Sequence, residues 1–209
     1  MSTKILLVCG VLTAVIYIAM NIYVPLLYPG YQVFSQTVSE LSAIGAPSRS
    51  VWVVLMLPYS LLLTLFGWGV WTVSGGKRSL RVAGLLLITD AVIGIFWPPM
   101  HTREVLAAGG GTISDTLHIV WTAITVPLMV FAVGFGGSAL GKRFGIYSAF
   151  TIAAMILFGI LTGLMSTDME KNLPTPWMGV WERVSIGAFM IWLIFFAWRL
   201  SSRSHLATE

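Results

Sequence analysis

Apolar residues fill six stretches of helical length along this 209-residue chain, and polar residues gather between them. A helix that crosses a lipid bilayer needs about 20 mostly apolar residues. The stretches Lys4 to Tyr28, Val51 to Val73, Arg81 to Pro98, Ser114 to Leu140, Phe144 to Met165 and Trp177 to Arg199 are of that order. The connections alternate in kind. Residues 74–78 and 141–143 are short and basic, whereas 29–50, 101–113 and 166–176 are longer and carry most of the acids. The pattern predicts an all-α polytopic membrane protein, one domain over residues 1–209, with six transmembrane helices paired as three hairpins.

Composition points the same way. Hydrophobic residues make up 57% of the chain and charged residues 10%, where a soluble domain carries about 25% charged residues. The first stretch outruns a signal-peptide core, and no small-x-small cleavage site follows it, so it is expected to stay as the first helix. Cys9 is the only cysteine, which excludes an internal disulfide and a cysteine-based metal site. The net charge of +4 is small and predicts no nucleic-acid partner. Its distribution says more. With both termini cytoplasmic, Lys4, Lys77, Arg78, Arg81, Lys142, Arg143, Arg199 and Arg203 lie inside, and only Arg49, Arg103, Lys171 and Arg183 outside. That bias orients the chain as a multi-pass protein of the inner (plasma) membrane, surrounded by membrane lipids. Nothing in the pattern sets an oligomeric state.

A repeat runs through the helices: Val51-Trp52 to Phe66, Val120-Trp121 to Phe135 and Val180-Trp181 to Phe195. Each Trp opens an even-numbered stretch at its outer end, where Trp favours the headgroup zone. The Phe follows about 21 Å further along. Pro58 matches Pro127, Phe66-Gly67 matches Phe135-Gly136, and Gly94-Ile95 matches Gly159-Ile160. Copies of like orientation predict a pseudo-threefold or stacked arrangement, not inverted transporter symmetry. Gly67, Gly69, Gly134, Gly136 and Gly137 mark expected close helix contacts. The repeat is scaffold, so departures from it direct attention to function. Asp90 answers to Met155 in the other copy, and His118 to Arg49 and Met178.

The candidate chemistry collects on the outer side. A carboxylate as deep as Asp90 costs several kcal/mol unless it faces a bundle interior or cavity, or is protonated and hydrogen-bonded by Asn21, Thr89 or another helix. His101 is placed about three turns further along the same helical face. Asp115 and His118 share a face at the start of helix four, and with His101 they offer two imidazoles and a carboxylate, a set suited to zinc or iron. Thr112-x-x-Asp115 also has the form of a capping box, as does Thr37-x-x-Glu40 before a short interfacial helix. Ser48 is expected to cap helix two. Glu182-Arg183, just inside helix six, is placed to pair with a neighbouring loop.

Two functions follow as expectations. In the first, an outward-facing polar cavity binds a lipid or small molecule, for sensing or transport, with Glu40, Asp90, Glu182 and Arg183 orienting it. In the second, a membrane-embedded hydrolase holds a divalent metal such as zinc on His101, Asp115 and His118 and uses Asp90 and His118 catalytically. A haem held between His101 and His118 is a third arrangement, with little else to support it.

Tyr28-Pro29-Gly30-Tyr31 followed by Thr37-Val38-Ser39-Glu40-Leu41-Ser42-Ala43-Ile44-Gly45-Ala46-Pro47 resembles the opening of the bacterial domain-of-unknown-function family 998. Asp115 and His118 at the start of helix four fit that likeness. It implies a membrane protein of six or seven helices and brings no reaction with it. A more distant similarity links the chain to membrane hydrolases of the alkaline-ceramidase and adiponectin-receptor type. Their zinc chemistry would fall to Ser39 or Ser42, Asp90 or Asp115, His101 and His118. The chain departs from that pattern in its last helix, where Glu182-Arg183 stands and no His-x-x-x-His occurs.

Overall fold

All six apolar stretches are helices in the computed structural model of the protein, which describes residues 2–206, with side chains through Ser202. Met1, residues 207–209 and the side chains of Arg203 and His205 lie outside the described residues. The long helices are α1 (Thr3–Tyr23), α2 (Arg49–Thr72), α3 (Arg78–Ile95), α5 (Ile113–Ala139), α6 (Lys142–Leu164) and α8 (Met178–Leu206). Two short ones, α4 (Arg103–Ala107) and α7 (Ser166–Glu170), lie in the longer connections. There is no strand among the described residues. Ile44 and His101 form one isolated backbone bridge.

Among the described residues, five helices are long and apolar enough to cross a membrane, so this is an integral, multi-pass membrane protein. The sixth, α3, spans 18 residues and carries Arg78, Arg81 and Asp90. It also ends earlier than expected. Pro98-Pro99 withdraws amide donors and disfavours helix before it, and α3 stops at Ile95 with Phe96 as its C-cap. His101 is therefore off the helix altogether, and its expected place on the face of Asp90 is not realised.

The long helices close into a ring in chain order: α1 packs on α2, α2 on α3, α3 on α5, α5 on α6, α6 on α8, and α8 back on α1. Neighbours approach closely where glycines allow it. A Cβ on Gly84 would lie 2.6 Å from the Gly67 carbonyl oxygen, so α2 and α3 touch backbone to backbone there. Gly69, Gly136 and Gly137 are equally tight against Leu6, Trp192 and Ser148, whereas Gly134 meets only ordinary contacts. Helix packing in lipid relies on such contacts, because apolar burial drives little association there.

Basic residues mark one end of the ring: Lys4 at the start of α1, Lys77, Arg78 and Arg81 around the α2–α3 turn, Lys142 and Arg143 opening α6, and Arg199 in the last turns of α8. The interior of that half is aromatic. Trp192 stacks on Phe196 at 4.4 Å, and Phe66, Phe144 and Phe189 pack around them. The Trp192 indole nitrogen donates to Ser148 Oγ at 2.9 Å, which satisfies the only polar atom the tryptophan brings inside.

The repeat falls on α2, α5 and α8, but Trp52 and Trp181 are the fourth residues of their helices and Trp121 is the ninth of α5. Phe66 is fully buried, while Phe135 and Phe195 are 42% and 46% exposed. Trp52 is buried against Tyr17, and Trp121 donates its indole N–H to the Ile93 carbonyl at 3.2 Å. Closure of α8 onto α1 sets the copies' surroundings apart, since α1 has no Val-Trp partner of its own.

Candidate functional site

At the end away from the basic residues, the connection between α1 and α2 folds into a cap over the ring. After Val24–Leu27, a 3-10 turn that follows α1 directly, it contains a second turn of 3-10 helix, Ser39–Ser42. The turn forms as the capping box requires. Glu40 Oε2 accepts from the Thr37 amide at 2.7 Å, and Thr37 Oγ1 accepts from the Glu40 amide at 3.3 Å. Gln36 Nε2 adds a further donor to Glu40 at 3.0 Å.

Glu40 has a second partner that local sequence does not indicate. Arg103, at the start of α4, forks its carboxylate, with Nε 2.7 Å from Oε1 and Nη2 2.9 Å from Oε2. Both residues are buried, at 2% and 8% exposure. Arg103 Nη1 also donates to Thr175 Oγ1, which in turn donates to the Ser35 carbonyl. Burial works against the charge on Arg103, but its bonds to Glu40 and that carboxylate's charge outweigh burial and hold the pKa above its ordinary value.

Glu182 and Arg183 bind the same cap from below. Glu182 accepts from the Val38 amide and from Ser39 Oγ, so it caps the 3-10 turn from α8. Arg183 Nη1 donates to the carbonyls of Val33, Gln36 and Gly179, and Nη2 to the Tyr31 hydroxyl at 2.6 Å. Gly179 is part of this fit, because a Cβ there would collide with the Gln36 carbonyl oxygen. Ser48, expected as a helix cap, instead donates to the Leu41 carbonyl at 2.7 Å and makes no cap hydrogen bond.

His101, Asp115 and His118 form a neighbouring network. Asp115 completes the capping box with Thr112 at the start of α5. It also accepts from the His101 amide at 2.6 Å and from His101 Nδ1 at 2.9 Å. His118 Nδ1 donates to the Pro98 carbonyl at 2.7 Å, and the ring lies 6.2 Å from that of Trp121. The two histidines thus hold the residues around Pro98-Pro99 against α5. No group of three or more His, Cys, Asp or Glu side chains among the described residues is placed to hold a metal ion.

Asp90 stands apart from these networks. It lies one helical turn below Gly94 on the stripe of α3 that includes Ala83 and Leu87, so it faces the ring's interior, and it is 9% exposed. It makes no hydrogen bond or ion pair with a described residue, and the expected bond from Asn21 or Thr89 is not formed. A few polar groups lie on the neighbouring helices, set among apolar side chains such as Leu63, Leu87 and Ala91. Ser60 on α2, buried and opposite Gly94, has no partner for its hydroxyl. Tyr59 lies within electrostatic reach of Asp90, and its ring meets that of Tyr17 at 5.6 Å. Asn21, one turn along α1 from Tyr17, donates to the Tyr17 carbonyl but leaves Oδ1 unpaired. Tyr17 in turn lies within electrostatic reach of Glu182 and Arg183. The groups form a polar trail from Asp90 towards the cap. Asp90 stands out in the sequence by its cost, but Ser60, Tyr59 and Tyr17 carry no signal until α1, α2 and α3 are brought together.

The family described as protein of unknown function (DUF998) matches residues 11–199, and the chain belongs to it. No curated protein matches, and no solved structure does.

Proposed function

We propose that this member of the family is a binding protein, a single six-span domain of the plasma membrane with both termini cytoplasmic. In this reading the half of the ring under the cap is an outward-facing polar chamber for a lipid headgroup or small molecule. One observation carries it: Asp90 is buried on an interior face with no partner. A buried acid without a partner is expensive in a membrane protein, and such residues usually face a cavity, a ligand or a water path. The unpaired Ser60 Oγ on α2 and Asn21 Oδ1 on α1 support the same reading, because buried polar atoms are nearly always satisfied by something.

The chemistry of the lining suggests what binds. A carboxylate and an amide oxygen accept, and the hydroxyls of Ser60, Tyr59 and Tyr17 accept or donate. A ligand carrying an ammonium group or several hydroxyls meets these needs. The aromatic layer around Trp192 fills the interior of the basic half, which favours binding from one side over passage through the ring. The cap residues Glu40, Glu182 and Arg183 shape the mouth of the chamber and spend their hydrogen bonds on the protein itself.

The test is thermal unfolding in detergent with ethanolamine, choline, spermidine or phosphatidylethanolamine added. A ligand at a hundred times its Kd stabilises the folded state by about 2.7 kcal/mol. At least one of the four is expected to raise the midpoint of the wild type and to leave Asp90→Asn unmoved. No shift with any of them, or equal shifts in the variant, would reject the reading.

A further inference from the structure

A second feature, at the opposite end of the ring, has no part in the chamber. Between α6 and α8 lies a groove with a cavity volume of about 280 Å³, lined by Arg143, Phe144, Tyr147, Phe195, Trp198 and Arg199. Its inner wall is closely packed. Phe144 is buried and packs on Trp192 and Phe196, while Tyr147 meets Phe144 at 5.7 Å and Phe195 at 5.6 Å. Its outer rim is open, since Phe195 and Trp198 are exposed.

Two guanidinium groups border this aromatic wall, and neither Arg143 nor Arg199 makes a hydrogen bond or ion pair with a described residue. The described acids offer no counter-ion at this end. Glu40, Glu104, Asp115, Asp168, Glu170 and Glu182 all belong to the capped end, and Asp90 lies inside the ring. No described residue supplies an anion for these two arginines. Guanidinium groups bind phosphate by paired hydrogen bonds, while Trp and Tyr settle at headgroup depth. The apolar walls between them suit the start of an acyl chain.

We infer that this groove is a binding site for one anionic phospholipid. Its phosphate is held between Arg143 and Arg199, and its glycerol and upper acyl chain lie along Phe195 and Trp198. A lipid, as opposed to free phosphate, fits the groove because the aromatic walls face the bilayer and no polar side chain besides the arginines lines it, apart from the Tyr147 hydroxyl. Basic pockets between membrane helices are established places for such headgroups.

The probe is native mass spectrometry of the full chain released from vesicles of mixed phosphatidylglycerol and phosphatidylcholine. Wild type is expected to retain phosphatidylglycerol preferentially. The double variant Arg143→Gln, Arg199→Gln is expected to lower that preference about thirtyfold, the effect of two arginines near the surface. Lys77→Gln, Arg78→Gln removes equal charge from the same end outside the groove and is expected to leave the preference intact. Trp198→Ala, at an exposed position, lowers retention without touching charge and decides the matter if the arginine variant does not fold. Unchanged preference in the groove variants, or equal loss in the Lys77, Arg78 control, overturns the inference. Displacement of phosphatidylglycerol by excess inorganic phosphate overturns it too, since the site would then belong to free anion.

Discussion

Arg103 and Glu40 meet in a two-point ion pair 63 residues apart in the chain, with N–O distances of 2.7 and 2.9 Å and both side chains buried. The pair ties the α1–α2 cap to α4, and Thr175 extends it to the connection before α8. Breaking one side of a buried pair strands the other charge, at a cost of about 3–5 kcal/mol. Arg103→Ala and Glu40→Ala are each expected to lower stability by that order in denaturant unfolding in detergent, and the double variant by less than the sum. Simple additivity in that cycle would show that the two residues do not act together. Because Arg103 has its pKa raised, its share of stability is present below the ordinary arginine value and is lost only as pH rises past it. Moderately alkaline buffers should therefore leave the cap in place.

Tyr31 provides a second pH marker. Burial, partly opposed by Arg183, raises its phenol pKa above the usual range. A raised pKa means the protonated phenol contributes stability below the ordinary value, and that this is lost as pH climbs through the shifted one. Ultraviolet titration of wild type minus Tyr31→Phe should show a phenol ionising later than an exposed tyrosine. An ordinary titration in that difference would contradict the buried placement.

Glu182 closes the cap from α8 through the Val38 amide and Ser39 hydroxyl. Glu182→Ala removes these acceptors, and capping losses run to about 1 kcal/mol. Hydrogen exchange at residues 37–42 should quicken several-fold, with exchange in α6 unchanged. Equal quickening in α6 would mean that the variant loosens the whole ring.

The contact between Gly67 and Gly84 predicts a sharp size limit. A methyl at Gly84 must push α2 and α3 apart, because the Gly67 carbonyl lies 2.6 Å away. Overpacking of this kind costs about 1–3 kcal/mol. Gly84→Ala is expected to fall in that range in detergent unfolding, and Gly134→Ala, which meets only ordinary contacts, to be nearly neutral.

Water access to Asp90 can be tested through the chain's single cysteine. In a Cys9→Ala background, Asp90→Cys should react with a small cationic methanethiosulfonate, and Ala83→Cys, deeper on the same stripe, should not. Protection of Asp90→Cys from the reagent would mean that no chamber reaches it.

The amino-acid sequence by itself determined the helices and most of their ends. Lipid leaves a backbone no alternative to internal hydrogen bonding, so apolar length translates directly into helix. Local caps were legible for the same reason: Thr37 with Glu40 and Thr112 with Asp115 satisfy amides within a single turn. What only the tertiary structure decided is whom each polar residue meets. Glu182-Arg183 takes its partners from residues 31–39, and Glu40 takes Arg103, because the α1–α2 connection folds back over the ring. His101 left the face of Asp90 because α3 ended ahead of Pro98-Pro99. The unpaired state of Asp90, of Ser60 on α2 and of Asn21 on α1 depends on how the helices pack, and spacing along the chain carries no information about contacts between helices.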